Sequence, residues 1–111
     1  MIKWENYNPM EQFVIIEDIV GLCLMFEKNQ NAIGEFKLDT GGGGFVYSLF
    51  VTWKRADPFN KKLLIDVLKK IINKYEIDKK TDELKKRYRS AAKYSNDYLS
   101  EHGVNLDIDQ R

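Results

Sequence analysis

The stretch from Glu35 to Trp53, Glu-Phe-Lys-Leu-Asp-Thr-Gly-Gly-Gly-Gly-Phe-Val-Tyr-Ser-Leu-Phe-Val-Thr-Trp, decides how the chain is read. Its first part alternates Glu35, Lys37 and Asp39 with Phe36 and Leu38, the pattern of a half-buried strand. After the glycines Gly41 to Gly44, residues Phe45, Tyr47, Leu49, Val51 and Trp53 alternate with Val46, Ser48, Phe50 and Thr52. Two alternating runs around a glycine turn predict an antiparallel β-hairpin, because glycine supplies the positive φ of a tight turn. Glycine-rich loops can also present N–H groups to a phosphate. Cradles of that kind open directly into a helix, however, and this reading places a strand there.

Upstream, Asn8-Pro9-Met10-Glu11 is a helix start: Asn suits the cap, Pro the first helical position, and Glu can bond back to the cap. On a helical wheel Glu11, Glu17, Asp18, Gly21 and Lys28 gather on one side. Phe13, Ile15, Ile16, Ile19, Val20, Leu22, Cys23, Leu24 and Phe26 cover the rest, so the helix is nearly all core. Gly21 leaves two readings open: one long helix, or a helix ending there with Leu22 to Lys28 as the first strand of a three-stranded meander.

Downstream, Asp57-Pro58 opens a second helix with Leu64, Leu68, Ile71 and Tyr75 as its core stripe, Leu63, Val67 and Ile72 beside them, and Lys62, Lys69, Lys70 and Lys74 towards water. A break over residues 76–80 precedes a third helix capped by Thr81, with Leu84, Tyr88, Ala91, Tyr98 and Leu99 as a thinner stripe. Gly103 stops it, and Val104, Leu106 and Ile108 alternate with polar residues as a short terminal strand. The expected fold is a single α+β domain over residues 1–111. Its order is N-terminal helix, antiparallel β-hairpin or three-stranded meander, two C-terminal amphipathic helices and the short terminal strand.

Composition bounds the function classes. A hydrophobic fraction of 43% with 13% aromatics argues for a folded chain. The longest apolar run, Phe13 to Phe26, is interrupted by Glu17 and Asp18 and falls short of the roughly 20 residues a spanning helix needs, so no membrane partner is expected. Acidic residues and asparagines precede that run and no small-residue cleavage site follows it, unlike a secretory signal. A lone cysteine, Cys23, excludes an internal disulfide and favours a reducing compartment, hence a cytoplasmic location. With one Cys and one His, His102, no ordinary zinc site can be assembled in one chain, and no carboxylate pair has a partner base or nucleophile. The expectation is a protein without enzymatic activity, metal or cofactor.

Charge is unevenly placed. Residues 1–53 carry three lysines against seven acidic groups, a net −4, and residues 54–93 carry fourteen basic against six acidic groups, a net +8. Such asymmetry points to an oppositely charged partner. The leading expectation is a protein-binding module of the inhibitor, immunity or adaptor type, such as bacterial mobile elements encode, docking by charge complementarity. Glu35, Lys37, Asp39 and Phe50, on the side of the hairpin that the first helix leaves open, are its candidate contacts; the hairpin edge also offers a route to homo-oligomers. The alternative is nucleic-acid binding by the basic helix around residues 79–93, through Lys85, Lys86, Arg87, Arg89 and Lys93, with Tyr88 available to stack on bases. Against it, Asp82 with Lys86 and Glu83 with Arg87 have the spacing of pairs that merely stabilise a solvated helix.

Overall fold

A computed structural model of the protein describes residues 1–28 and 43–87. Among them are four α-helices and no strand: α1 Pro9–Lys28, α2 Gly43–Arg55, α3 Pro58–Lys74 and α4 Ile77–Arg87, preceded by a 3-10 turn at Trp4–Asn6. The expected α+β fold is therefore overturned. The run expected to be the second hairpin strand is helix from Gly43 onward, and Leu22 to Lys28 continues α1 instead of starting a meander. The expected strands at residues 35–39 and 104–108 lie outside the described residues, as do Gly41 and Gly42 and the expected third-helix residues beyond Arg87.

The misreading has a physical cause. Phe45 to Trp53 is so rich in apolar and aromatic residues that it satisfies a period of two and a period of 3.6 alike, and β-propensity is weak enough for burial to override it. The helical period wins because Val46, Phe50 and Trp53, spaced as i, i+4 and i+7, are all buried, while Phe45, Tyr47, Ser48 and Thr52 are exposed. Thr52 is accommodated by donating its hydroxyl to the Ser48 carbonyl at 2.8 Å, the back-bond open to a helical threonine. With a helix at Gly43, the objection that a strand follows the glycines no longer holds. A Cβ at Gly44 would meet nothing within 4 Å, so no close approach demands glycine there.

The helix starts follow the chemistry of their caps. The Asn8 side-chain oxygen accepts from the Glu11 amide at 2.8 Å while the Glu11 carboxylate accepts from the Asn8 amide at 3.0 Å, satisfying two otherwise orphaned donors reciprocally. Asp57 caps α3 by accepting from the Asn60 amide at 2.8 Å, with Pro58 at the first helical position. The start of α4 differs from expectation. Ile77 opens it, and Thr81 is buried inside, donating its hydroxyl to the Asp78 carbonyl at 2.9 Å. The turn between α3 and α4 is made at Glu76, whose φ of 51° is the left-handed conformation that ends helices. Lys79 donates to the Glu76 carboxylate at 3.0 Å and holds that carboxyl below its usual range.

α1 is the centre of the packing. From Val14 to Leu24 it is buried apart from half-buried Glu17 and Gly21, as a helix with so broad an apolar surface must be, and α2, α3 and α4 all pack against it. The N-terminal segment closes one side. Ile2 and Trp4 are buried, the Asn73 amide group exchanges hydrogen bonds with the Ile2 backbone at 3.1 and 3.2 Å, and Gln12 donates to the carbonyls of Trp4 and Tyr7 at 2.8 and 2.9 Å.

Two outcomes are expected from this packing. Phe50→Ser should cost about 3 kcal/mol or more of stability in denaturant unfolding, since it hollows the contact of α2 with the core and buries a hydroxyl. Glu76→Gly should raise the thermal midpoint by relieving left-handed strain, and an unchanged or lower midpoint would show that the turn is held by the Lys79 contact instead.

Candidate functional site

The residues singled out in the sequence are scattered by the fold. Phe50 is 1% exposed and belongs to the core, so it cannot meet a partner; Glu35, Lys37 and Asp39 lie outside the described residues. Of the basic set, Lys86 is exposed, whereas the side chain of Arg87 and all of Arg89 and Lys93 lie outside the described residues. Lys85 points inward. Its Nζ lies 3.1 Å from Asp18 Oδ2 with both side chains almost wholly buried, joining α4 to the middle of α1.

A second pair repeats this theme. Lys61, near the start of α3, reaches Glu17 on α1, and its ammonium lies 5.4 Å from the Trp53 ring centre and 5.7 Å from that of Phe13. Those two rings pack at 5.5 Å with a tilt of 48°. Part of the acidic-to-basic asymmetry along the sequence is thus spent inside the molecule, where the basic helices neutralise the acidic side of α1.

Met1, Met10, Phe45 and Tyr47 are exposed apolar residues elsewhere, and three more lie together on α3. Its core side is Leu68 and Ile72, fully buried, with Leu64, Ile65, Ile71 and Tyr75 half-buried. Its outer side carries Phe59, Leu63 and Val67, at 79%, 77% and 43% exposure. Their i, i+4, i+8 spacing stacks them in one line along the helix. Beside that line is an open depression of about 420 Å³, lined by Thr52, Arg55 and Ala56 from the end of α2 and by Asn60, Leu63 and Leu64 from α3. Lys62 sits with its ammonium 6.0 Å from the Phe59 ring centre, and Lys70 and Lys74 are exposed further along. The carboxylate on this side, Asp66, lies 3.5 Å from Lys69. The face is therefore apolar in its first half and basic in its second.

Sequence reasoning placed Leu63 and Val67 beside the core stripe and did not single out Phe59. A usable signal was present: apolar residues at 59, 63, 64, 65, 67, 68, 71, 72 and 75 span a wider arc than helix neighbours on one side can cover.

Among the described residues no three His, Cys, Asp or Glu side chains come together as metal ligands. Trp4 Nε1, Trp53 Nε1 and Asp78 Oδ1 are buried polar atoms without a hydrogen-bond partner. Asp78 Oδ2 lies 3.6 Å from the Met1 amino group. None of these forms a nucleophile, base and acid array. In comparisons with known proteins the chain matches no family model, no curated protein and no solved structure.

The buried pair is open to a direct test. Asp18→Asn or Lys85→Met should each destabilise the protein by about 3 to 5 kcal/mol, because each removes one charge of a buried ion pair. The double variant Asp18→Leu with Lys85→Met should recover much of that loss. A double-mutant cycle by urea unfolding measures the coupling, and additive losses would show the two charges to be independent.

Proposed function

We propose that the protein is a non-enzymatic protein-binding module, of the inhibitor, immunity or adaptor type, that docks through the outer face of α3. The observation that supports this is the unbroken line Phe59, Leu63 and Val67. Single exposed apolar residues are ordinary on a folded surface, but three aligned on one helix beside a depression form a contiguous patch of the kind found at interfaces. The rim is charged, which suits steering and register. We place the protein in the cytoplasm. That location rests on its single cysteine, Cys23, a buried free thiol. No described helix is long and apolar enough to cross a membrane.

A Phe59→Ser/Leu63→Ser variant separates docking from folding. Stability should stay within about 0.5 kcal/mol of wild type, as expected for exposed positions. In quantitative affinity capture from source cells, one protein retained by the wild type should be lost from the variant. Equal retention by both would remove α3 from the interface.

Nucleic-acid binding remains the competing reading, with Lys86 exposed but Lys85 spent on Asp18. Mobility-shift assays at low salt with duplex DNA, single-stranded DNA and RNA should show no complex. A complex that weakens steeply with salt and disappears in Lys86→Glu would favour that reading over docking to a protein.

A further inference from the structure

The chemistry of the α3 face narrows what can lie on it. At 100° per residue, Lys70 and Lys74 fall within the same arc as Phe59, Leu63 and Val67, so the face is divided lengthwise and not side to side. Its apolar part, from 59 to 67, is about 12 Å long, and the whole face to residue 74 is about 22 Å long at 1.5 Å per residue. Asp66 and Lys62 flank the line on one side, and Arg55 enters the depression on the other. Four exposed cations, Arg55, Lys62, Lys70 and Lys74, thus surround or continue the apolar stripe, against Asp66, which Lys69 already approaches.

A second copy of the chain fits this face poorly. Parallel pairing would set Lys70 and Lys74 against their own counterparts, and full antiparallel overlap would set lysines against Phe59 and Leu63. Antiparallel overlap of the apolar halves alone engages three side chains from each copy, short of the roughly 800 Å² per partner of a stable interface.

Building on the docking function proposed above, we infer that the occupant is an acidic amphipathic α-helix of another protein, lying antiparallel to α3. Its first turns carry Asp or Glu opposite Lys70 and Lys74. Its next turns carry apolar residues that pack on Val67, Leu63 and Phe59, with a further carboxylate reaching Arg55. Antiparallel placement favours this order twice: helix dipoles oppose one another, and acidic residues are favourable in the first turns of their own helix. The apolar contacts supply the attraction, and the cations select the partner and its direction.

The test uses the full chain, isotope-labelled, and helical peptides of about 16 residues, long enough to cover the face. One peptide has Glu in its first two turns and Leu at i, i+4 and i+7 in the next two; a second replaces each Glu by Lys. The Glu peptide should give saturable amide shifts confined to residues 52–74, and the Lys peptide should bind about tenfold or more weakly, as expected from opposite and like charge pairing. Lys70→Glu/Lys74→Glu should reverse the preference between the two peptides, and Leu63→Ser should weaken both. Equal binding of the two peptides through Leu63 would overturn the acidic partner while leaving a protein-docking face in place. Absence of shifts with either peptide, or shifts away from residues 52–74, overturns the inference. So does a concentration-dependent dimer in sedimentation that Leu63→Ser abolishes, which would make the occupant a second copy. Leu63-dependent co-sedimentation with phosphatidylglycerol vesicles, with no peptide binding, would overturn both the acidic helix and the docking function.

Discussion

The ion pair between Asp18 and Lys85 is the constraint on which the arrangement of helices depends. From Val14 to Leu24 α1 is buried except at Glu17 and Gly21, and the Asp18 side chain is wholly shielded from water. A carboxylate there is tolerable only with a counter-charge delivered at hydrogen-bonding distance, and α4 delivers it at 3.1 Å. Buried Ile77 and Leu84 seat α4 on the core by shape, and the charged pair adds a directional contact at one point along it. The charged pair admits one register. Lys61 with Glu17 does the same for the start of α3, so two lysines on two helices fix two successive acidic residues of the central one.

This internal use of charge changes the meaning of the sequence asymmetry. The acidic first half and basic later part look like a surface prepared for another molecule, and some of that charge is so placed on α3. Yet Lys85, expected in the sequence as a nucleic-acid contact, and Lys61 serve the packing of the protein itself. What is left on the surface is selective in position: Lys62 flanks the exposed apolar line of α3, and Lys70 and Lys74 continue past its end.

Features governed by short-range chemistry were legible in the sequence. Asn8 with Glu11, and Asp57 with Pro58, specify helix starts through hydrogen bonds within four residues, and both are observed. The nearly all-core character of α1 followed from how narrow its polar side is beside the apolar residues that cover the rest. Phe45 to Trp53 was not legible, because its density of apolar residues satisfies two periodicities and only the surface it packs against decides between them. Thr81 misled for a related reason: a hydroxyl that can cap a helix can also bond back to Asp78 inside one, and the left-handed residue that ends α3 is Glu76, not a glycine. The candidate site was the least legible part. Burial of Lys85 depends on which neighbours arrive from elsewhere in the chain, and nothing local distinguishes it from Lys86, whereas Leu63 already stood beside the core stripe that holds Leu64.

The two tryptophans give the protein an intrinsic optical reporter at each end of this packing. Trp4 lies in the N-terminal segment, its carbonyl held by Gln12 of α1, and Trp53 lies beside Phe13 and Lys61, at the meeting of α1, α2 and α3. Both indoles are shielded from water, so their emission sits at short wavelength in the folded chain and moves to longer wavelength as each site hydrates. With one replaced by phenylalanine, the other reports separately on detachment of the N-terminal segment or on opening of the helical core. Peeling of the chain's beginning and loss of the helix contacts can thereby be followed in real time without any attached dye.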